Sequence, residues 1–203
     1  MLFKTNLFIL FSIQNQGGPM KKDYEQIISN YNGGDLDLSG CTIKKLELDH
    51  VEGSLNLTKC VIDKLVIGWV SGTLNMTGAD IKNIENPIDA QTVIMTGTKV
   101  KKLPAHIYTD SLTIEKSNIT KLNTDLRANT LNIRNTKLEQ FPKDVTVNTL
   151  IVDAKTARNL PLSTLRQCNY IDMDGTVYSQ SNVSGFNFCS VTSEVSENTM
   201  CAV

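Results

Sequence analysis

The sequence predicts a mainly β, single-domain solenoid of about seven 19-residue coils with a short N-terminal capping helix. Three observations carry this. Segments of one pattern begin at Asp35, Ser54, Thr73, Thr92, Ser111, Thr130 and Thr149, each 19 residues after the last. Each opens with a period-two alternation of polar and apolar residues, the signature of a strand with one face buried. Prolines (Pro87, Pro104, Pro142 and Pro161) fall in the returns between strands and favour extended or turn-like chain over helix there.

The repeat fixes the core. Counting from the start of each segment, position two is Leu36, Leu55, Leu74, Val93, Leu112, Leu131 and Leu150. Position four is Leu38, Leu57, Met76, Met95, Ile114, Ile133 and Val152. Position nine is Ile43, Ile62, Ile81, Val100, Ile119, Leu138 and Ala157, and position twelve is Leu46, Leu65, Ile84, Leu103, Leu122, Phe141 and Leu160. One coil per repeat brings like positions together at about 4.8 Å, so each apolar position becomes an inward column. Tyr170-Ile171-Asp172-Met173 reads as an eighth, degenerate unit.

The ends need covering, because open sheet edges invite pairing. Tyr24, Ile27, Ile28 and Tyr31 recur at helical spacing before Asn32-Gly33-Gly34, which predicts a capping helix within 20–34. The solenoid is expected over 35–175. From Thr176 to Val203 the period is lost, and an irregular cap or disordered tail is expected. Residues 1–19 read as a leader foreign to the rest. Leu7-Phe8-Ile9-Leu10-Phe11 is too short for a signal-peptide core of roughly 7–15 residues and far too short to span a bilayer. Gln16-Gly17-Gly18-Pro19-Met20 can be encoded with a purine-rich ribosome-binding string ahead of an ATG. That encoding would make Met20 the start of a bacterial or phage protein.

Composition narrows function. With 20 basic and 21 acidic residues the formal charge is −1, so no global field draws in nucleic acid or acidic lipid. Five cysteines, an odd number without a CxxC pair, argue against a disulfide framework and a structural zinc site and suit a reducing cytoplasm. Cys41 and Cys60 share position seven with small residues and are expected to be buried free thiols. His50 and His106, the only histidines, fall three coils apart, ~14 Å along the axis. No nucleophile elbow, phosphate loop or metal motif is present. The expectation is no enzyme, no cofactor and no metal.

Two surfaces are candidates for binding. Thr73, Asn75, Thr92, Ile94 and Thr113 lie at outward strand positions and make a flat, uncharged face. Thr is also simply well suited to a half-exposed strand. Positions ten and eleven hold Lys44, Lys45, Lys64, Lys82, Lys101, Lys102, Lys121 and Arg158, which stacking gathers into a basic ridge. Glu47, Asp49, Glu52, Glu85, Asp89, Asp110, Asp125 and Asp144 lie across the returns as an acidic edge. Asp63 and Glu139 interrupt the ridge and no aromatic platforms line it, which argues against nucleic acid. Trp69, the single tryptophan, reads as a core filler sooner than an exposed anchor.

The run Gly33-Gly34-Asp35-Leu36-Asp37-Leu38-Ser39-Gly40, and Ser111-Leu112-Thr113-Ile114 through Leu122, resemble leucine-rich repeats, in particular the GG-x-LxLxGTxIxxLP repeats of phage and bacterial proteins. The resemblance covers about residues 33–165. It departs from the standard repeat at position seven, where Asn is replaced, and in lacking a leucine two residues before each strand. It implies a partner-binding role and no reaction. A protein partner, bound without catalysis in the cytoplasm of a bacterium or infected cell, is the first expectation. A self-associating rod, as in a virion, is the second, and binding to nucleic acid through the charged edges is the third. No membrane partner is expected.

Overall fold

A computed structural model describes residues 23–100, 102–122, 125–138 and 146–179. The chain forms a mainly β solenoid of about seven turns. In order come α1 (Tyr24–Ser29), β1 (Leu36–Asp37), β2 (Thr42–Val51), β3 (Leu55–Asn56), β4 (Val61–Asn75), β5 (Asp80–Ile84) and β6 (Ile88–Ile94). They are followed by β7 (His106–Thr113), β8 (Asp125–Asn132), β9 (Thr146–Val152), α2 (Ala154–Ala157), α3 (Leu162–Leu165), β10 (Tyr170–Met173) and β11 (Thr176–Ser179).

Successive coils pair in parallel with a register of one repeat: Leu36 faces Leu55, Leu55 faces Leu74, and Thr92, Ser111, Thr130 and Thr149 follow one another. The inward columns are the core. Leu38, Leu57, Met76, Met95, Ile114, Ile133 and Val152 at position four are all fully buried. Each of the first six coils turns a corner after position four through a residue in the left-handed region: Gly40, Gly78 and Gly97, and also Lys59, Lys116 and Asn135, with φ between 54° and 74°. Glycine adopts this freely and other residues at a cost. The Asn at position three helps hold that corner. Asn75 Oδ1 accepts from Thr77 N–H (3.0 Å) and Thr77 Oγ1 (2.7 Å), and Asn56 does the same for Thr58.

Position seven is a column of small inward residues. Cys41, Cys60, Ala79, Thr98, Ser117 and Thr136 are buried, and Cys41 and Cys60 are free thiols. Their polar atoms meet backbone: Cys60 Sγ lies 2.9 Å from the Leu38 carbonyl, and Thr98 Oγ1 donates to Ala79 O at 3.0 Å. Burial pushes the Cys60 and Cys168 thiols up to about 11.

Three expectations are corrected, and the one for the returns, extended or turn-like chain, is sharpened. The returns of the first coils are strands: β2, β4 and β5 form a second parallel sheet side, so β4 runs unbroken through Val61–Asn75. The last coil, expected to lack helix, holds α2 and α3. Asp153 caps α2, accepting from Thr156 N–H at 2.9 Å, and Pro161 stands just ahead of α3, where a missing N–H costs nothing. Trp69 is 46% exposed. Chain from Thr176 is not irregular at its start: β11 pairs antiparallel with β10 through a turn at Asp174-Gly175. At the other end α1, six residues long, lies within the expected 20–34. It lays Ile28, Ile27 and Tyr24 against the core, Tyr31 just beyond it does the same, and Tyr31 Oη donates to Gly34 O (2.8 Å). Residues 1–19, Met20, Lys101, Glu139, Phe141, Pro142, Asp144, Cys189, Cys201 and 180–203 lie outside the described residues.

Candidate functional site

The predicted ridge does not form a continuous cationic strip. Lys45 and Lys64 are register partners, but each has a carboxylate: Lys45 pairs with Glu47, and Lys64 Nζ lies 2.7 Å from Glu85. Lys82 lies 2.6 Å from Asp63, and that carboxylate holds its ammonium pKa up. Acids assigned to the opposite edge therefore interleave with the ridge. Lys44, Lys102 and Lys121 are exposed, and among the described residues no carboxylate pairs with them. Arg158 is exposed on the last coil, following α2.

The outward strand face is in place. Thr73 pairs in register with Thr92, and Asn75 with Ile94, which pairs with Thr113. All five are half-buried. Asn75 is committed to its turn, and Thr73 N–H to Ser54 Oγ at 3.2 Å, so much of this face's polarity is spent on the coil itself.

Sequence reasoning missed a third column. His50 pairs with Trp69 across β2 and β4, and their rings stack at 5.3 Å, 14° from parallel. Farther along, Asp89 pairs with Tyr108 and Tyr108 with Arg127. The Arg127 guanidinium sits 5.5 Å from the Tyr108 ring centre, a cation–π contact. Beside them His106 Nδ1 lies 2.6 Å from Asp125 Oδ2, which also accepts from Tyr108 Oη at 3.0 Å. These hydrogen bonds, His106 first, hold the Asp125 carboxyl below its ordinary range, and the bond to Asp125 raises the Tyr108 phenol. The column borders a shallow open groove of about 550 Å³ that includes Gln91, Asn129 and Asn148. The signal was available: His106-x-Tyr108 and Asp125-x-Arg127 are one repeat apart.

One face of the Trp69 ring is stacked on His50, and the Tyr108 ring lies between His106 and the Arg127 guanidinium. Among the described residues no group of three His, Cys, Asp or Glu could hold a metal, and no helix is long and apolar enough to cross a membrane. Comparisons with protein-family profiles, with curated proteins and with solved structures return no match for this chain.

Proposed function

We propose that the chain is a non-catalytic protein-binding repeat domain, bacterial or phage-encoded, that docks a partner such as a host factor on the face from His50 and Trp69 to Tyr108 and Arg127. The observation that carries this reading is Trp69. A lone tryptophan is 46% exposed and is held in a fixed orientation by the stacked His50. Trp, Tyr and Arg dominate the energetics of protein interfaces, and a rigid β scaffold keeps the entropy of ordering them low. The filled coil interior offers surface in place of an enclosed chamber for chemistry. The resemblance of the repeat to leucine-rich repeats supports the same role.

The test is affinity capture from bacterial lysate by the full chain and by Trp69→Ser/Arg127→Ala. A protein retained by the wild type and lost by a variant of unchanged circular dichroism is expected. Equal capture by both, or capture by neither, counts against this reading.

Self-association is a second reading, favoured by β11. Among the described residues it is the last strand in the sheet order, it carries no charged residue, and Val177 on it is 61% exposed. Sedimentation velocity across a concentration series separates the two: a dimer abolished by Val177→Lys supports self-pairing.

A further inference from the structure

The register shift between Val70 and Thr73 sets an acid between two rings. Val70 pairs with Ala90, and both are buried, so the residues just before them, Trp69 and Asp89, are neighbours on the outward side. Asp89 pairs in turn with Tyr108. One outward column therefore runs His50, Trp69, Asp89, Tyr108 and Arg127 on successive coils. His50 lies on the coil before Trp69 and stacks on one face of its ring, so the opposite face is turned toward Asp89. Trp69 and Tyr108 are two strand spacings apart, about 9–10 Å, and the side chain between them is a short carboxylate.

The charge here is one-sided. Asp89 and Asp110 are exposed and line the groove beside Tyr108, and among the described residues neither carboxylate pairs with a cation. Asp49, whose side chain is 80% exposed, has only His50 at 4.0 Å. Arg127 is already met by Asp125 at 3.5 Å. That pairing is also a template. The Arg127 guanidinium lies over the Tyr108 ring and beside the Asp125 carboxylate, so ring, cation and acid are complete within the chain. Trp69 and Asp89 repeat the ring and the acid in the same column, and among the described residues no cation joins them.

We propose, building on the protein-binding reading of this face, that it takes a basic, arginine-containing segment of the partner, with one guanidinium stacked on the open face of Trp69 and paired with Asp89. A guanidinium is planar. Its face packs on a ring at ~3.5–4 Å, and its edge stays free to donate two parallel hydrogen bonds to a carboxylate. Trp69 and Asp89 are one strand spacing apart, so a single group reaches both. Asp110, on the coil after Asp89, takes a second basic residue of the segment. Gln91 and Asn129, on the coils either side of Asp110, supply amides for the segment's backbone. A phosphate backbone meets Asp89 and Asp110 as like charges, which excludes nucleic acid from this place.

Trp69 is the only tryptophan in the chain, so its emission reports the site directly. The test titrates the full chain with tryptophan-free peptides that alternate Arg, Lys or Glu with Ser, and with oligothymidylate. The Arg/Ser peptide is expected to change the emission saturably and to bind several-fold more tightly than Lys/Ser. Asp89→Asn is expected to weaken it about tenfold and Asp110→Asn by less. No saturable change with Arg/Ser, equal or tighter binding of Glu/Ser or oligothymidylate, or indifference to Asp89→Asn overturns the proposal. Both aspartates are exposed, and an unchanged melting curve confirms that the variants fold. Lysate capture separates this assignment from the docking face itself. A protein lost by Trp69→Ser/Arg127→Ala but kept by Asp89→Asn/Asp110→Asn leaves the face standing and overturns the basic partner, whereas loss by both variants supports it.

Discussion

The first three coils and the later ones close the same 19-residue turn in two ways. From Thr42 to Ile84 the return is paired strand, and β4 continues without a break around the coil. From Val100 onward the described returns are irregular apart from two single-turn helices. The corner at position nineteen differs as well. Gly53 and Gly72 approach the coil before them so closely that a Cβ would meet Gly34 at 2.4 Å and Gly53 at 3.2 Å. Gln91, Asp110, Asn129 and Asn148 occupy that position later and line the groove beside Tyr108. A register shift between Val70 and Thr73 marks the passage from one mode to the other. The inward columns are alike on both sides, so they set the period. A few outward or corner residues decide whether the backbone between them pairs.

The largest test of this difference is a matched pair at position twelve. Leu65→Ala, in the doubly paired region, is expected to cost about 2–5 kcal/mol, and Leu122→Ala, outside it, the lower end of that range. Urea denaturation measures both, and equal losses would show that the second sheet side adds no rigidity. Next, Val66→Pro copies Pro104 into the second coil and is expected to cost ~3 kcal/mol, because it removes a strand donor. Pro104→Val is expected to change stability little. Gly68→Ala would put a Cβ 1.9 Å from the Asp49 carbonyl oxygen, and about 1–3 kcal/mol is expected by thermal melting.

Two smaller effects probe the later coils. The lowered Asp125 pKa means that its contribution is fully present above the ordinary carboxylate value and is lost as pH falls through the lowered one. Carbon-detected NMR titration should show Asp125 moving toward the ordinary value in His106→Ala, and less so in Tyr108→Phe. Cys60 and Cys168, raised to about 11 by burial, should alkylate far more slowly in the native chain than in urea at pH 8.

The solenoid and its core columns were legible because periodicity repeats the same message seven times. Where a residue matters once, the message was thin. Trp69 read as core because bulky apolar residues are usually inside; only its pairing with His50 across β2 and β4 places it outside. The returns were legible as extended or turn-like chain, but not that those of the first three coils pair as strands, because no residue there announces the pairing. The lysine ridge was visible as a column, but the acids that neutralise it come from neighbouring coils and other positions, as Lys64 with Glu85 shows. The Tyr108–Arg127 contact lay in a column that a one-residue register shift displaced from its counterparts.

The antiparallel turn between β10 and β11 has a consequence for how such a chain lengthens. Every earlier coil hands the next a strand running in the same direction, so a further unit can be stacked on it. β11 runs backwards, so among the described residues the series of like-directed strands stops at β10. Duplicating one interior 19-residue segment would extend the rod by about 4.8 Å and leave α1 and the β10–β11 turn as they are. Length becomes a quantity that can be changed in whole steps, independently of the caps and of the surfaces each coil carries.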